Sequence, residues 1–468
     1  MFILILSLSG LLVLSSCSHQ ATDSQPPNVV FIMVDDLGWK DVGYMDGSFF
    51  HTPNIDGLAS EGMVFTQAYA SAANCAPSRA CLMTGQHTPR HGMYTVGSSE
   101  RGKASKRKLI PTPNKTEIPF STPTMGDLFQ QAGYVCGTFG KWHISQDPLQ
   151  QGFEVNMGGD LRGNPGKGGY FSPYNVSHFP DGPEGEHLTD RLTSEAISFI
   201  EDHQDTSFFL YLPFYDVHTP LQAKENLRQK YQEKAAQNLK GIHPVYAAMV
   251  ENMDMNIGRI LTTLTELGIE ENTLLVFTSD NGGIASLASQ HPLRAGKGSY
   301  FEGGIRVPLI MKWPAQIPVS RKVHTPVTNL DFYPTFSHLL DIQDESLPLD
   351  GQDLSPLWKG KQLEERALYW HFPIYLQAYD GAKDEARDPW FRTRPGSVMR
   401  KGKWKLHQYF EDNEVLLYDL ENDLGESINL ADSLPEIAST LLSDMKSWQQ
   451  EIMAPIPIEK NPLYLLEN

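Results

Sequence analysis

The 468-residue chain is 40% hydrophobic and 20% charged and contains 38 glycines and 32 prolines, which excludes a disordered protein, a collagen-like repeat and a polytopic membrane protein. Its net charge of −18 argues against nucleic-acid binding through a basic surface, so no nucleic-acid partner is expected. A soluble enzyme is the default, and an anionic ligand would need a local positive site.

The first 17 residues are predicted to be the signal peptide of an exported bacterial lipoprotein. They are apolar as far as Leu14 and too short to span a bilayer, which takes about 20 apolar residues. Leu14-Ser15-Ser16-Cys17 resembles a bacterial lipobox, in which cleavage leaves Cys17 as the lipid-modified N-terminus. Ordinary secretion, with Cys17 discarded, is the alternative. Residues 18–27 are then a tether, the membrane is contacted through the lipid alone, and the expected location is periplasmic or at the outer membrane.

Short apolar runs predict buried parallel strands that end in polar side chains. The runs are 28–34 before Asp35-Asp36, 133–138, 207–214 before His218, and 272–278 before Asp280-Asn281. Between them, apolar residues three and four apart predict helices at 53–61, 124–132, 188–201 and 245–267. This alternation predicts an α/β domain over residues 28–365, with a central, mostly parallel sheet sandwiched by helices. Ligands of such sheets gather beyond the carboxyl ends of the strands, where these polar residues lie.

From about residue 365 the pattern changes, and a smaller C-terminal α+β domain with an antiparallel sheet is predicted over 366–468. Residues 398–406 and 414–418 have the pattern of half-exposed antiparallel strands joined by turns. A final helix is predicted at 434–452.

The four cysteines are too few for a disulfide framework in so long a chain, so each needs its own explanation. Cys75 lies at the start of a predicted helix, where the helix N-terminus and Arg79 could depress the pKa of a nucleophilic thiolate. A buried structural thiol is the alternative for Cys75. Cys81 and Cys136 are predicted to be buried free thiols, although a disulfide between them is compatible with an oxidising compartment.

The segment Cys75-Ala-Pro-Ser-Arg79, followed by Leu82-Met-Thr-Gly85, resembles the signature of the formylglycine-dependent sulfatases, which have an alkaline-phosphatase-like fold. Gly140-Lys141-Trp142-His143 resembles the second signature of that family. Further matches, in order, are Val34–Gly38, Thr52–Asp56, His218–Pro220, Ser279–Gly283, Gly296–Gly298 and Glu302–Pro308. The resemblance spans residues 28 to about 430, and a chance match of so many ordered motifs is not expected.

The resemblance implies that a formylglycine-generating maturation enzyme oxidises Cys75 to Cα-formylglycine (3-oxoalanine), whose hydrate is the nucleophile. It also implies a metal site formed by Asp35, Asp36, Asp280 and Asn281 together with a formylglycine oxygen. Ligands that are all oxygen suit a hard cation, so Ca²⁺ is expected ahead of Mg²⁺, and Zn²⁺ is disfavoured.

The resemblance assigns roles to basic residues as well, and these would form the local positive site. Arg79 and Lys141 correspond to residues that hold the formylglycine oxygens, and His218 and Lys297 to residues that bind the sulfate. His218, or alternatively Lys297, would protonate the departing oxygen, and His143 would act as the base.

Secretion and the family resemblance together imply a sulfated carbohydrate substrate, with carrageenan-type galactans favoured over ulvan and glycosaminoglycan fragments. Aromatic and bidentate basic side chains suit sugars and their sulfates, which makes substrate-binding candidates of His291, Arg294, His371 and Arg394. The basic run 101–108 and the glycine-rich run 158–170 are further candidates, although a solvated loop would explain each of them.

Two other functions are compatible with the sequence. A phosphoester or phosphonate hydrolase of the same superfamily would share the fold and the metal chemistry. A non-catalytic glycan-binding surface lipoprotein would keep the fold, but it predicts degenerate catalytic positions, whereas every expected position is filled here.

Overall fold

The computed structural model of the protein describes residues 25–45, 47–237 and 241–465. The predicted signal peptide with Cys17, and residues 18–24 of the predicted tether, lie outside the described residues. Among the residues that are described, no helix combines the length and the apolar character that a membrane crossing requires.

Strands and helices alternate along most of the chain. The strands are β1 (Asn28–Val34), β2 (Met63–Phe65), β3 (Ala68–Tyr69), β4 (Val135–Phe139), β5 (Val155–Met157), β6 (Phe208–Pro213), β7 (Thr273–Ser279), β8 (Arg306–Val307), β9 (Leu309–Lys312), β10 (Arg321–Val323), β11 (Val327–Thr328), β12 (Ala367–Phe372), β13 (Leu376–Gln377), β14 (Phe391–Thr393), β15 (Gly396–Lys401), β16 (Trp404–Tyr409) and β17 (Val415–Asp419). The α-helices are α1 (Pro53–Glu61), α2 (Cys75–Thr84), α3 (Thr88–His91), α4 (Met125–Gln131), α5 (Leu188–Asp202), α6 (Glu225–Gln237), α7 (Pro244–Glu266), α8 (Glu302–Ile305), α9 (Phe332–Leu339), α10 (Ser355–Trp358) and α11 (Pro435–Glu451).

An 8-stranded sheet forms the centre of the molecule, with the strands in the order β10, β2, β9, β7, β1, β6, β4, β5. Its pairings are parallel except those of β9, which runs antiparallel to β2 and β7. The prediction of an α/β fold with a mostly parallel central sheet is confirmed. The predicted helices also agree with α1, α4, α5, α7 and α11 to within one residue at each end.

Helices cover both faces of this sheet, so alternate residues of β1 enter two different cores. Val30 and Ile32 pack into the core that contains residues of α1, α5 and α7. Phe31 and Met33 pack into the core that contains residues of α2, α4 and α9. Because both faces of the sheet are buried from solvent, β1 is apolar at nearly every position, as its sequence indicated.

The C-terminal part contains a 4-stranded antiparallel sheet in the order β12, β15, β16, β17. The antiparallel arrangement was predicted correctly, but the prediction that these strands are half exposed is wrong. Met399 and Leu406 pack against Met445 of α11 on one face, while Val398 on the other face packs in a cluster with Phe301 of the preceding part. The boundary between residues 365 and 366 stays a prediction, with β12 beginning at Ala367.

Candidate active site

Four neighbouring parallel strands, β7, β1, β6 and β4, end at one edge of the central sheet. The polar residues that follow parallel strands must therefore meet at that edge. The residues that do so are Asp280 and Asn281 after β7, Asp35 and Asp36 after β1, His218 after β6, and Lys141 and His143 after β4. The structure thus brings together the residues that the sequence placed at strand ends.

Cys75 is the first residue of α2 and lies buried at the same edge. One ligand atom each from Cys75, Asp35 and Asp280 lie within 4.8 Å of one another. Burial, above all other influences, raises the pKa of the Cys75 thiol above its usual range. This contradicts the depressed pKa that a thiolate nucleophile would need. Cys81 and Cys136 are also buried and free, as predicted.

Three buried cations each contact a buried carboxylate in this cluster. Arg79 Nε donates to Asp280 Oδ2 at 2.8 Å, and Lys141 Nζ donates to Asp35 Oδ2 at 2.5 Å. The third contact joins Lys297 Nζ to Asp36 Oδ2 at 2.6 Å. Since a buried charge is tolerated only when it is paired, these contacts fix both the cations and the carboxylates in place.

Arg79 also connects two strand ends. Its Nη1 donates to the backbone carbonyl of Lys141 at 2.7 Å, while its Nη2 is buried without a hydrogen-bond partner among the described residues. An unsatisfied buried guanidinium nitrogen is unusual, because it forfeits the free energy of its lost hydration. The nitrogen is therefore available to an oxygen that enters the cluster.

His218 lies beside the Lys297–Asp36 pair, with 3.8 Å between its Nε2 and Asp36 Oδ2. Its Nδ1 lies 2.7 Å from the carbonyl oxygen of Thr219, which can only accept, so Nδ1 carries the proton. Burial and then the charge of Lys297 lower the pKa of His218 to about 3. For Lys297, burial opposes the charged form, but Asp36 outweighs it and the pKa is raised well above its usual value.

His143 is buried with a positive φ of 68° beneath the glycine-rich run 158–170. A Cβ on Gly163 would lie only 2.4 Å from Cε1 of His143, so glycine lets the loop cover the imidazole. Burial, followed by the charges of Lys141 and Arg79, lowers the pKa of His143 well below its usual value. Its Nδ1 has no partner among the described residues, which suits a neutral proton acceptor.

The cluster also has the donors of a cation site. Asp35 Oδ1 and Asn281 Oδ1 are buried without hydrogen-bond partners among the described residues. Buried oxygens of this kind normally have a partner, and here they lie with Asp280 at the same edge of the sheet. Because the free ligand atoms are oxygens, they fit a hard cation better than a transition metal.

Two of the predicted substrate-binding arginines make contacts within the protein. Arg294 donates to the carbonyl oxygens of Glu385 and Glu426, each at 3.0 Å, and lies 3.9 Å from the ring centre of Phe301. Arg394 donates to Glu411 at 2.7 Å and also contacts Asp388. These donors are already used, so the structure gives neither arginine a contact with the cluster of strand ends.

His291 is exposed, whereas His371 is buried in the C-terminal part. His371 Nε2 lies 2.9 Å from the carbonyl oxygen of Pro455, and its Nδ1 lies 2.8 Å from Ser397 Oγ. Ser397 can donate its hydroxyl proton to Nδ1 because its oxygen also accepts from Gln449 at 2.9 Å. A neutral imidazole satisfies both of these hydrogen bonds. His371 therefore stabilises the C-terminal part and, among the described residues, makes no contact with the cluster of strand ends.

Acidification from pH 6.5 to about 4 is expected to destabilise the protein through its buried histidines. Burial lowers the pKa of His371 and of His87 to about 4 and that of His91 to about 3. Below the ordinary pKa of 6.5 the unfolded chain binds protons that the folded chain does not, so stability falls as pH falls. Each histidine contributes about 1.4 kcal/mol per pH unit.

Urea unfolding at several pH values would measure this slope. The His371→Gln variant keeps an acceptor for Ser397 and a donor for Pro455 but cannot titrate. Its free energy of unfolding should therefore depend less steeply on pH than that of the native protein, by about 1.4 kcal/mol per unit. Equal slopes for the two proteins would contradict the prediction.

The sequence did not indicate the roles of Arg392 and Tyr379. Arg392 Nη1 donates to the carbonyl oxygen of Lys297 at 2.8 Å, and its guanidinium lies 3.3 Å from the ring centre of Tyr379. A Cβ on Gly298 would lie 2.8 Å from Arg392, so this glycine permits the close approach. Arg392 is 95 residues away from Lys297 along the chain, and no motif or periodicity links the two.

Comparison with known proteins identifies the family. The family model described as Sulfatase matches residues 27–342, and the model described as N-sulphoglucosamine sulphohydrolase, C-terminal, matches residues 296–451. The chain is 30% identical over 537 residues to a sulfatase of Formosa agariphila, covering 96% of this chain and 94% of that protein. It is 32% identical over 475 residues to the N-acetylgalactosamine-6-sulfatase of Canis lupus familiaris, covering 92% of this chain and 87% of that protein.

The fold agrees with these matches. The crystal structure of Ps i-CgsB in complex with k-i-k-neocarrahexaose has a TM-score of 0.73 and 28% sequence identity, and the match covers 91% of this chain and 93% of that chain. Fold alone would not establish activity, but the family model and the relatives extend through the clustered motifs as well. The chain therefore belongs to the sulfatase family, has an alkaline-phosphatase-like fold, and is an enzyme that hydrolyses sulfate esters.

Proposed function

We propose that this sulfatase removes sulfate from a sulfated polysaccharide or its oligosaccharides, with Cys75, converted to formylglycine, as its nucleophile. The position of Cys75 is the observation that carries the proposal. Its sulfur lies beside Asp35 and Asp280, and the charges of Lys141 and Lys297 act on it. A structural cysteine would lie among apolar side chains, as Cys136 does.

We further propose that calcium occupies the cluster. Asp35, Asp36, Asp280 and Asn281 would hold it, together with an oxygen at position 75 once the thiol has been converted. The unpartnered oxygens of Asp35 and Asn281 support this assignment. When bound, the cation would act as a Lewis acid on the nucleophile and on a sulfate oxygen. Magnesium, which demands stricter octahedral geometry, is the second choice.

The charges in the cluster favour an anionic substrate only when such a cation is added. Three carboxylates, those of Asp35, Asp36 and Asp280, balance the charges of three cations in the protein alone. A divalent cation would leave the buried site net positive. That local charge would attract a sulfate monoester to a protein whose net charge is −18.

Arg79 and His143 supply the remaining chemistry around residue 75. Arg79 lies one helical turn after Cys75, on the same face of α2, so its unpartnered Nη2 can stabilise a negative oxygen there. His143 can accept a proton through its unpartnered Nδ1. Lys141 is held in the cluster by its contact with Asp35.

The departing oxygen needs a proton donor, and His218 and Lys297 are the two candidates. We propose His218, whose Nδ1–H is held by the carbonyl oxygen of Thr219 and whose Nε2 faces the site. Because its pKa is lowered to about 3, Nε2 would first take up a proton from solvent as the negative charge of the sulfate enters, and it would then donate that proton to the departing oxygen. Lys297 Nζ is instead committed to Asp36 at 2.6 Å. Lys297 would then bind the sulfate rather than protonate the leaving group.

The His218→Ala variant is expected to lose about 10²- to 10³-fold in kcat/KM on a sugar sulfate, the usual cost of losing a general acid. The loss on 4-nitrocatechol sulfate should be smaller, because a phenolate leaves without full protonation. Parallel kinetics of both substrates would measure the difference. The Lys297→Ala variant loses sulfate binding, so its kcat/KM should fall by a similar factor for both substrates. The reverse pattern would assign the acid to Lys297.

Sulfated galactans of the carrageenan type are the proposed first substrate, with ulvan and glycosaminoglycan fragments next. The names of the similar proteins support a carbohydrate: one solved structure contains k-i-k-neocarrahexaose, and one relative is an N-acetylgalactosamine-6-sulfatase.

Sulfate release from a panel of carrageenan, ulvan and glycosaminoglycan oligosaccharides tests this proposal. Phosphate and phosphonate esters belong in the same panel, because the superfamily chemistry would accommodate them. Preferred release of phosphate would replace the proposal by a phosphoester or phosphonate hydrolase. Binding of the glycans without any turnover by the converted protein would favour a glycan-binding lipoprotein.

We propose that the mature chain is held at a bacterial membrane by a lipid on Cys17. The apolar run before Leu14-Ser15-Ser16-Cys17 supports this, and the polar stretch 18–27 would serve as the tether. In the Cys17→Ser variant, most of the mature protein is expected to move from the membrane pellet to the soluble fraction after export. An unchanged distribution would contradict lipid anchoring.

A further inference from the structure

The basic run 101–108 divides into structural and outward-facing residues. Arg107 Nη1 donates to the carbonyl oxygens of Glu100 and Gly102, and its Nη2 pairs with Glu100 at 3.0 Å. Lys103 and Lys106 instead place Nζ 5.8 Å and 4.5 Å from the ring centre of Trp390. Arg107 therefore stabilises the loop itself, whereas the two lysines lie next to Trp390.

The loop that carries these lysines is held firmly in place. Asn461 Nδ2 donates to the carbonyl oxygens of Ala104 and Arg107 at 2.9 Å and 2.8 Å. Gly102 has a φ of +82°, and a Cβ there would lie 2.7 Å from Phe391, so the loop packs closely on β14. A fixed loop loses little conformational entropy when a ligand binds to it.

A cavity of about 510 Å³ lies between this loop and the β13–β14 pair. Its lining residues include Lys103, which is exposed, and the half-buried Lys106. Trp390, another lining residue, is 43% exposed. The volume is that of an ordinary small-molecule site, and its charge is opposite to that of the protein as a whole.

One arginine joins this cavity to the catalytic cluster. The carbonyl oxygen of Gln377, which lines the cavity, accepts a hydrogen bond from Arg392 Nε at 3.0 Å, and Arg392 Nη1 donates to the carbonyl of Lys297. Tyr379, stacked on Arg392, is 51% exposed. Arg101 lies close enough for its charge to act on Arg392. The buried Arg392 therefore links the backbone of Lys297 to the wall of the cavity, with the exposed ring of Tyr379 beside it.

We propose that the cavity lined by Lys103, Lys106 and Trp390 is a second subsite, which binds a sulfated sugar adjoining the one that loses its sulfate. The proposal rests on the proposed function and deepens it, because it names an oligosaccharide with at least two sulfated residues as the substrate class. An indole presents an apolar surface to the C–H face of a sugar ring, and lysine ammonium groups attract its sulfate.

Binding to the full-length Cys75→Ser protein tests the subsite without turnover. The probes are tetrasaccharides of ι-carrageenan and chondroitin 6-sulfate, each compared with its sulfated monosaccharide by calorimetry. At least one tetrasaccharide should bind about tenfold or more tightly than its monosaccharide. A combined Lys103→Gln and Trp390→Ala variant should lose most of that ratio, and the ratio should fall as ionic strength rises.

The Lys359→Gln variant, which removes an exposed lysine outside the cavity, is the matched control and should keep the ratio. If the native ratio is near one for both tetrasaccharides, or if the combined variant keeps it, the second subsite is refuted. Turnover of 4-nitrocatechol sulfate by the converted native enzyme is the separate check on the proposed function. That substrate has no second sugar. A failure of the proposed function would therefore abolish its turnover, whereas a failure of the subsite proposal would leave its turnover unchanged.

Discussion

The Cys75→Ser variant is expected to lose sulfate-ester turnover by about 10⁴-fold or more, because it removes the group that we propose is converted into the nucleophile. Expression together with a maturation enzyme that converts only cysteine is required. Serine replaces one sulfur by one oxygen, so the buried helix start at α2 should fold as before. Kinetics on 4-nitrocatechol sulfate and thermal unfolding with and without Ca²⁺ would measure the loss of activity and the retained fold.

Peptide mass spectrometry gives an independent measurement of the same residue. Conversion of the thiol to the aldehyde removes about 18 Da, and the native chain should show this loss at Cys75. The Cys81→Ala variant is the matched control, because Cys81 is buried in the same helix and should neither be converted nor be needed for activity. Full activity of Cys75→Ser would overturn the assignment of the nucleophile.

The second large effect is expected from Lys405→Met, which should lower the free energy of unfolding by about 3–5 kcal/mol. Lys405 is fully buried, and its Nζ lies 2.9 Å from Glu302 and 3.0 Å from Glu426. Burial opposes ionisation of Glu302, but Lys405 and then Arg306 outweigh it and lower its pKa to about 2. Removing Lys405 would leave two buried carboxylates with too little positive charge.

Chemical unfolding would compare this variant with Lys401→Met. Lys401 lies on the neighbouring strand and pairs with Asp444 at 3.0 Å, but the two side chains are 49% and 38% exposed. An exposed pair contributes less than about 1 kcal/mol, so this control should be nearly neutral. Equal losses in the two variants would show that burial does not set the strength of the Lys405 interaction.

Repeating patterns made much of the fold predictable. β1 is apolar because both faces of the sheet are buried, and α7 is amphipathic because one face packs on the sheet. The clustering of Asp35 and Asp280 followed from parallel strands that end at one edge. The sulfatase motifs then indicated which chemistry to expect at these strand ends.

The predictions from the sequence were wrong or incomplete where polar residues are buried. Lys405 and His407 alternate with apolar residues along β16, which is the pattern of a half-exposed strand. The structure instead buries them, with Lys405 and His407 both bonded to Glu426. Arg392 was missed for a related reason, because its contact with Lys297 depends on tertiary packing between distant segments. The spacing of residues within a segment does not indicate the burial of Lys405 and His407 beside Glu426, nor the contact between Arg392 and Lys297.

The burial of Cys75 sets the order of events during biosynthesis. Cys75 is 3% exposed, and Ser78 and Arg79 in the same motif are fully buried, so a modifying enzyme could not bind this segment in the folded protein. The conversion that we propose must therefore come before α2 packs. The central sheet joins segments about 180 residues apart, and such non-local pairing is slow. A maturation enzyme would thus compete with folding, and a faster-folding variant would be less completely converted although its fold would be the same.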